Sequence, residues 1–349
     1  MRQRIDYSGK KVNVGIDVHK KTYAVCCRCD GQEVKKATVP ARPEELVKFL
    51  KFHFAGAEIY SVYEAGFSGF VLHRVLVSND IKNIVVNASS IEVAANDRAK
   101  TDRRDARKMS EQLEAGRLRG VLVPTAEQEQ ERLLTRTREQ LVRERSRVGN
   151  QFKSRLAQFG LIPCDDETKM SRNFIDDYLG QDLAKKLHDA LSVLARIWKA
   201  LDQEVKELDR QIKKKCMEDR NAVVYRGIPG MGPLTSQTLS LELGNMGNFH
   251  NERAIFKHTG LIPSEFSSGN KKRQGHITRQ GSSRLRHLLT EAAWKAIKED
   301  PKLLGDFNRI SRSRGKKRAI VGIARKLIGR ARACFRKGEA YRVGFGIAA

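Results

Sequence analysis

The first 115 residues alternate between extended and helical patterns in an order that few folds allow. Val12–Val18 and Thr22–Cys29 are apolar, β-branched runs typical of strands, and Asp30-Gly31 after them is a strong hairpin signal. Further strand patterns cover 33–39, 58–63 and 81–86, and helical patterns cover 43–54, 68–78 and 103–115. The order is a three-stranded antiparallel meander followed by helix, strand, helix, strand and helix. This α/β order is RNase H-like and places the first strand centrally.

Four acidic residues occupy positions in the predicted strands and helices where a carboxylate has no role in packing. Asp17 interrupts the apolar run of the first strand, and Glu64 ends the strand pattern at 58–63. Asp102 and Asp105 are three residues apart at a helix start, so they can share a face. Mg²⁺ prefers oxygen ligands, and a two-metal phosphodiester site needs several carboxylates around two ions about 4 Å apart. The sequence therefore predicts that these four acids bind two Mg²⁺ ions.

A purely structural role is an equal alternative for the pair at the helix start. Asp102 could serve as the N-cap of that helix, and Asp105 could interact favourably with the helix dipole. The same alternative is poor for Asp17, because its neighbours Ile16 and Val18 are apolar strand residues. The metal interpretation thus depends on all four acids together.

The charge of the chain indicates a polyanionic partner. Lys and Arg total 67 against 41 Asp and Glu, a formal net charge of +26, which a compact protein tolerates best when a polyanion binds it. Nucleic acid is the expected partner, because Lys and Arg displace the counterions of its phosphates. A membrane surface is the weaker alternative, since there is no apolar run long enough to span a bilayer and no lipidation or secretion signal. The sequence predicts a cytoplasmic protein, and six cysteines without a paired Cys-x-x-Cys pattern argue against zinc.

Beyond Pro124 the pattern becomes charged and helical. Glu127–Phe159 is one such segment, and Leu187–Ile212 is a second whose apolar residues step by threes and fours as in a heptad seam. Joined by a break over 160–177, they predict a long antiparallel coiled-coil hairpin for dimerisation or spacing. An ordinary helical bundle within one subunit fits equally well. The predicted domains are 1–124, 125–220 and 221–349.

The third predicted domain is mainly α-helical and opens with a Gly-rich turn. Gly227–Pro233 contains Gly230 and Gly232 and precedes a helical pattern at 234–243, as in a helix–hairpin–helix element. Glycines let the backbone approach a phosphate, although a turn between packed helices has the same composition. From Arg309 onwards, the spacing of apolar residues in a segment rich in Lys and Arg predicts a folded basic helix. Other candidate nucleic-acid contacts are Lys271, Lys272, Arg273, Arg279, Arg284 and Arg286.

Several serines lie in the basic segment between these elements. A serine attacks phosphorus only when it is activated and positioned. Composition alone does not separate Ser268 from its rivals, which are Ser264, Ser267, Ser282 and Ser283.

Taken together, these motifs resemble the transposases of the bacterial "IS one-ten" insertion sequences. The N-terminal RuvC-like domain of that family is matched by Gly15-Ile16-Asp17-Val18-His19-Lys20, Glu64-Ala65-Gly66 and Thr101-Asp102-Arg103-Arg104-Asp105-Ala106. Its C-terminal domain is matched by Pro229-Gly230-Met231-Gly232-Pro233, Gly260-Leu261-Ile262-Pro263, Ser268-Gly269, Gly281 and Leu285-Arg286. The resemblance covers nearly the whole chain.

The resemblance implies a specific chemistry. Asp17, Glu64, Asp102 and Asp105 would bind Mg²⁺, and Ser268 would attack a DNA phosphate to give a phosphoserine link while strands exchange. A structured noncoding RNA would pair with donor and target double-stranded DNA, so base pairing would choose the sequence. The acids and the serine belong to different domains, which implies a homo-oligomer, a dimer or a dimer of dimers. The alternatives are a metal-dependent junction nuclease using the acids alone and an inactive nucleic-acid-binding relic.

Overall fold

The protein is described here by a computed structural model that covers residues 6–92, 101–265 and 274–341. The chain divides into two compact units, a first unit of residues 1–124 and a second unit of residues 125–349. Within the described residues, no helix combines the length and the apolar character needed to cross a bilayer.

The first unit contains a mixed five-stranded sheet. Its elements in chain order are β1 (Lys11–Val18), β2 (Thr22–Cys29), β3 (Gln32–Pro40), α1 (Pro43–His53), β4 (Glu58–Glu64), α2 (Val71–Val77), β5 (Lys82–Val86) and α3 (Asp102–Glu114). The strand order is β3-β2-β1-β4-β5. The pairs β1–β2 and β2–β3 are antiparallel, whereas β1–β4 and β4–β5 are parallel. The predicted order of elements and the central place of β1 are confirmed.

The two faces of the sheet are covered by different helices. Val12, Val14 and Ile16 of β1 point into the larger core, which α1 and α2 complete. On the other face α3 lies directly against β1 at Gly15, where a Cβ atom would stand 2.0 Å from the carbonyl oxygen of Ala106. A glycine is therefore required there, and the close approach brings the start of α3 to the end of β1.

The second unit is mainly helical in the part of it that the structure describes. Its elements are α4 (Ala126–Gln158), α5 (Arg172–Leu179), α6 (Lys185–Glu218), α7 (Arg220–Arg226), α8 (Pro233–Leu243), α9 (Glu252–Thr259), β6 (Pro263–Glu265), β7 (Gln274–Ile277), α10 (Ser283–Glu299), α11 (Pro301–Arg314) and α12 (Lys316–Lys337). The predicted basic helical tail is confirmed by α11 and α12.

The long helices α4 and α6 form the predicted antiparallel pair. Arg138 pairs with Asp209 at 2.7 Å and Arg145 with Asp202 at 2.7 Å, so positions rise along α4 as they fall along α6. The buried residues of α6 include four that are seven apart, which are Leu191, Trp198, Val205 and Ile212. The heptad pattern thus predicted the inner face of this helix.

The connecting segments contain short elements that the sequence patterns did not reveal. The predicted break between the two long helices is present, since α4 ends at Gln158 and α6 begins at Lys185, but it contains the short helix α5, where the Ser171 side chain accepts a hydrogen bond from the Phe174 amide. Ser268 lies outside the described residues, and the antiparallel strands β6 and β7 flank it. Elements of three to eight residues carry too few apolar positions to show a period, so their patterns did not reveal them.

Candidate active site

The acids of the first unit meet where β1 ends and α3 begins. Side chains alternate along a strand, so Asp17 and His19 leave the end of β1 on the same side as Gly15, towards α3. His19 Nε2 lies 3.1 Å from Asp17 Oδ2 and 3.1 Å from Asp102 Oδ2. One ligand atom from each of the three residues falls within 4.8 Å of the others. The structure therefore brings Asp17 and Asp102 together around His19.

The start of α3 explains why Asp102 faces the strand. The cap position is Thr101, whose backbone is extended and whose side chain makes no cap hydrogen bond. Asp102 is the first helical residue rather than the cap, so the expectation that it could serve as the N-cap was wrong. Its carboxylate is directed to His19 and is 63% exposed, which leaves its oxygens accessible to a cation.

Asp105 lies one turn further along α3. Lys108 Nζ stands 3.7 Å from Asp105 Oδ1, and the charge of Asp105 acts on Asp17. The pKa of Asp17 is raised above its ordinary value, first by burial and further by the charges of Asp102 and Asp105, with His19 opposing the shift. Negative charge is thus concentrated at this end of β1, and a bound cation would relieve it.

Glu64 reaches the same edge of the sheet from the neighbouring strand. Ile16 of β1 pairs with Tyr63 of β4, so Glu64 is the register neighbour of Asp17, and paired residues present their side chains on the same face. Its side chain is exposed and is not one of the three that form the tight group. The backbone register brings Glu64 beside Asp17, and its carboxylate is not part of the group formed by Asp17, His19 and Asp102.

His19 is the site residue that the sequence did not predict. It belongs to the Gly15–Lys20 motif, but a lone histidine has no distinctive pattern that indicates a metal ligand. The available signal was its spacing: two residues after Asp17 at a strand end means the same side of the sheet. Its Nε2 atom is placed where it could act as a nitrogen ligand beside the carboxylate oxygens.

The predicted nucleophile falls outside the described residues, as do Ser267, Lys271, Lys272 and Arg273. For Ser268 the structure therefore describes only the flanking strands β6 and β7. Two of its rivals have structural partners. Ser264 Oγ donates to the carbonyl of His276 at 3.0 Å, and Ser282 Oγ caps α10 by accepting from the Leu285 amide at 3.3 Å.

The Gly-rich turn before α8 packs against α10. Gly230 has a φ of +78°, and a Cβ atom there would stand 2.2 Å from the carbonyl oxygen of Ala292. Its amide donates to Glu299 Oε2 at 2.7 Å. Gly232, in contrast, is exposed with open space beside it. Close packing thus explains Gly230, whereas Gly232 remains accessible.

Two of the predicted basic contacts are engaged inside the second unit. Arg284 of α10 forms ion pairs with Glu139 of α4 and, at 3.2 Å, with Glu242 of α8. Arg286 donates to the carbonyl oxygens of Thr259 and Arg279 at 3.1 and 3.4 Å. Arg279 itself is exposed. Positive charge alone did not distinguish a cation that joins helices from one that faces solvent.

Two family profiles match the chain. One, described as "Transposase" and representing DEDD transposases of the IS110 type, matches residues 14–160. The other, described as "Transposase IS116/IS110/IS902 family", matches residues 224–308.

The chain belongs to the IS110 family of insertion-sequence transposases.

Similar proteins carry the same description. "Putative transposase y4qE" of Sinorhizobium fredii is 29% identical over 285 residues, which cover 80% of this chain and 70% of the relative. "Transposase for insertion sequence element IS1111A" of Coxiella burnetii is 28% identical, over 70% of this chain and 69% of the relative. "Transposase for insertion sequence element IS1533" of Leptospira borgpetersenii is 26% identical, over 82% of this chain and 85% of the relative.

The matched segments contain the candidate residues of this IS110-family transposase. The four acids and His19 lie in the first segment, and the Gly-rich turn, Ser268 and the six basic candidates lie in the second. The transposase continues past residue 308 into the rest of α11 and α12, which neither segment covers.

Proposed function

We propose that this transposase is an RNA-guided recombinase that breaks and rejoins DNA through a phosphoserine at Ser268, with Mg²⁺ held by Asp17, Glu64, Asp102 and Asp105. The observation that carries the proposal is the convergence of Asp17 and Asp102 at the end of the central strand of an RNase H-like, RuvC-like sheet. The Ser268-Gly269 motif stands in the second segment that matches the family.

The donor set at the end of β1 fits a hard divalent cation. Carboxylate oxygens are the protein ligands that Mg²⁺ prefers, and the raised pKa of Asp17 reflects burial together with neighbouring negative charge. Asp102 keeps an accessible carboxylate, and Asp105 and Glu64 lie one helical turn and one strand away. Bound there, two Mg²⁺ ions would neutralise charge that develops on the phosphoryl oxygens.

The proposed step at Ser268 exchanges one phosphate ester for another. A bond forms between Ser268 Oγ and phosphorus while the bond from phosphorus to a sugar oxygen breaks. The serine proton leaves to a base or to solvent, and the departing sugar oxygen takes up a proton. In the reverse step a sugar hydroxyl of the second strand displaces Ser268 and reseals the DNA. Each step replaces one phosphodiester bond by another of the same kind, so the reaction requires no nucleotide cofactor.

The partners follow from the same proposal. A structured noncoding RNA pairs with donor and target double-stranded DNA, and the basic protein binds the backbones of both. The acids and Ser268 belong to different units of the chain. A homo-oligomer, a dimer or a dimer of dimers, would allow two subunits to complete one site. The setting is the bacterial cytoplasm, at the nucleoid.

A strand-exchange assay with the co-purified RNA tests the proposal. The wild type should recombine donor and target DNA, and Ser268→Ala, Asp17→Ala and removal of the RNA should each abolish the product. If Ser268→Ala still cleaves DNA and leaves free strand ends, the alternative of a metal-dependent junction nuclease is correct. If Asp17→Ala rearranges DNA as well as the wild type does, the acids have no catalytic role.

A further inference from the structure

The turn between α11 and α12 carries a dense group of cations, here called the α11–α12 basic turn. It comprises Arg312, Arg314, Lys316, Lys317 and Arg318 around Gly315, whose φ is +78°. All five side chains are exposed. In the part of the chain that the structure describes, none of the five has a carboxylate oxygen within 4.0 Å.

Neighbouring cations on the same two helices are paired. Arg309 and Lys326 both contact Asp306, and Arg330 binds the buried Asp300 at 2.8 Å. The five cations of the turn thus form a contiguous group, with paired cations on either side of it at Arg309 and Lys326. The positive charge at this point has no counterpart among the described acids.

Helix electrostatics explain only part of this arrangement. Arg312 and Arg314 lie in the last turn of α11, where cations stabilise a helix. Lys316, Lys317 and Arg318 occupy the first turn of α12, where the helix dipole makes a cation unfavourable. That helix also begins without a side-chain cap and without an acid in its first turn. These three residues thus stand where the helix alone would favour the opposite charge.

The helices on both sides of the turn are nevertheless anchored in the core. Ala319 and Ile320 are buried directly after Arg318, and Leu303 and Phe307 bury the other helix in the same core. The cations are therefore presented on a folded platform, so little chain entropy is lost when they bind. A cluster of exposed cations without carboxylate partners, carried on folded helices, is complementary to a polyanion with closely spaced charges.

We propose that the α11–α12 basic turn binds the phosphodiester backbone of a nucleic acid duplex. This proposal deepens the proposed function and takes from it only that the partner is nucleic acid. It uses neither Ser268 nor the four acids, and it places backbone binding outside the matched segment that ends at residue 308. The ligand is backbone phosphate, so the contact positions the duplex without reading its sequence.

The test is the salt dependence of binding by the full-length protein. Each phosphate contact contributes about 0.9 to the slope of log K against log salt for duplex DNA. The triple variant Lys316→Gln, Lys317→Gln, Arg318→Gln should lower that slope by about 2.7, so that between about 50 and 200 mM salt the wild type loses about 40-fold more affinity than the variant. Binding is measured with EDTA present, first to a DNA duplex and then to an RNA hairpin.

A matched variant separates local binding from overall charge. Arg147, Lys199 and Arg210 are also in the second unit, and each pairs with an acid. Changing these three to Gln removes the same charge and should alter the slope far less. Melting of the test variant checks its fold and should occur at or above the wild-type temperature, because unfavourable cations leave the start of α12.

The outcomes separate cleanly. A reduced slope with DNA or with RNA supports the proposal and identifies which duplex the turn binds. Equal slopes for the test variant, the matched variant and the wild type on both probes would overturn it. Continued strand exchange in Ser268→Ala would overturn the proposed function alone, since this binding assay involves no chemistry.

Discussion

Gly15 should control the geometry of the acidic site although it offers no functional group. A methyl group at this position would stand 2.0 Å from the carbonyl oxygen of Ala106 and 2.6 Å from the amide nitrogen of Ser110. Both are backbone atoms of α3, which cannot rotate away. Ordinary contact begins near 3.4 Å, so Gly15→Ala must push α3 from β1 by about 1.4 Å, and overpacking of this kind costs about 1–3 kcal/mol.

This displacement would act directly on the site. Asp102 is in the first turn of α3, and Asp17 lies two residues after Gly15, so the distance between the two carboxylates should increase. A misplacement of about 1 Å can cost about 100-fold in rate. We therefore expect Gly15→Ala to lower the rate of DNA strand exchange about 100-fold.

Hydrogen exchange and strand exchange together measure the effect. Peptides from β1 and α3 should exchange faster in Gly15→Ala than in the wild type, and the DNA reaction should slow in parallel. The control is Gly305→Ala in α11, where a Cβ atom meets open space and helix propensity favours Ala by about 1 kcal/mol. Wild-type exchange in β1 and α3 with a wild-type reaction rate would refute the close approach of α3.

Two further substitutions test other contacts. His19→Asn should weaken Mn²⁺ binding by about tenfold or more and Mg²⁺ binding less, because imidazole suits transition metals better than Mg²⁺. Calorimetry on the protein without nucleic acid measures both affinities. An unchanged ratio of the Mn²⁺ and Mg²⁺ affinities would exclude His19 as a ligand. Glu242→Gln should destabilise the second unit by about 3 kcal/mol, because it removes the acid that joins Arg132, Arg136 and Arg284. Urea unfolding followed by the fluorescence of Trp198 and Trp294 reports on that unit, and Glu218→Gln on the exposed face of α6 is the control.

The pH dependence of the Glu242 effect has a definite sign. Burial opposes its ionisation, but the hydrogen bond and charge of Arg136, with the charges of Arg132 and Arg284, hold the pKa of Glu242 below its ordinary value of 4.5. A carboxyl whose folded pKa is depressed contributes stability above its unfolded pKa and loses it as the pH falls through the folded pKa. The difference between wild type and Glu242→Gln should therefore be constant above about pH 5.5 and shrink below pH 4.5. A difference that grows towards acidic pH would contradict the ion cluster.

The parts of the fold that were predicted from sequence are those with local signals. The β-branched runs predicted β1 and β2, and Asp30-Gly31 predicted the turn between β2 and β3, where both residues have a positive φ. The heptad spacing of α6 predicted its buried face. Short elements such as α5 and the β6–β7 pair gave no such signal.

The sequence predicted those parts of the candidate site whose positions follow from the order of the strands. Strand order and alternation were enough to bring Asp17 and Glu64 to one edge. The bridging position of His19 depends on how closely α3 approaches Gly15, which no pattern of residue types specifies. The burial of Glu242 among Arg132, Arg136 and Arg284 joins three helices far apart in the chain, so the sequence did not show that Arg284 has an internal partner.

The most direct test of the proposed chemistry is to trap the covalent intermediate. A nicked duplex whose leaving fragment dissociates should stop the reaction after the first step and leave DNA attached to the protein. After nuclease and trypsin digestion, a nucleotide mass should remain on the peptide of residues 258–271, with fragmentation placing it on Ser268. Asp17→Ala should form no adduct. An adduct on Ser264 or Ser267 would contradict the assignment of Ser268 as the nucleophile, and cleaved DNA without any adduct would contradict the phosphoserine mechanism.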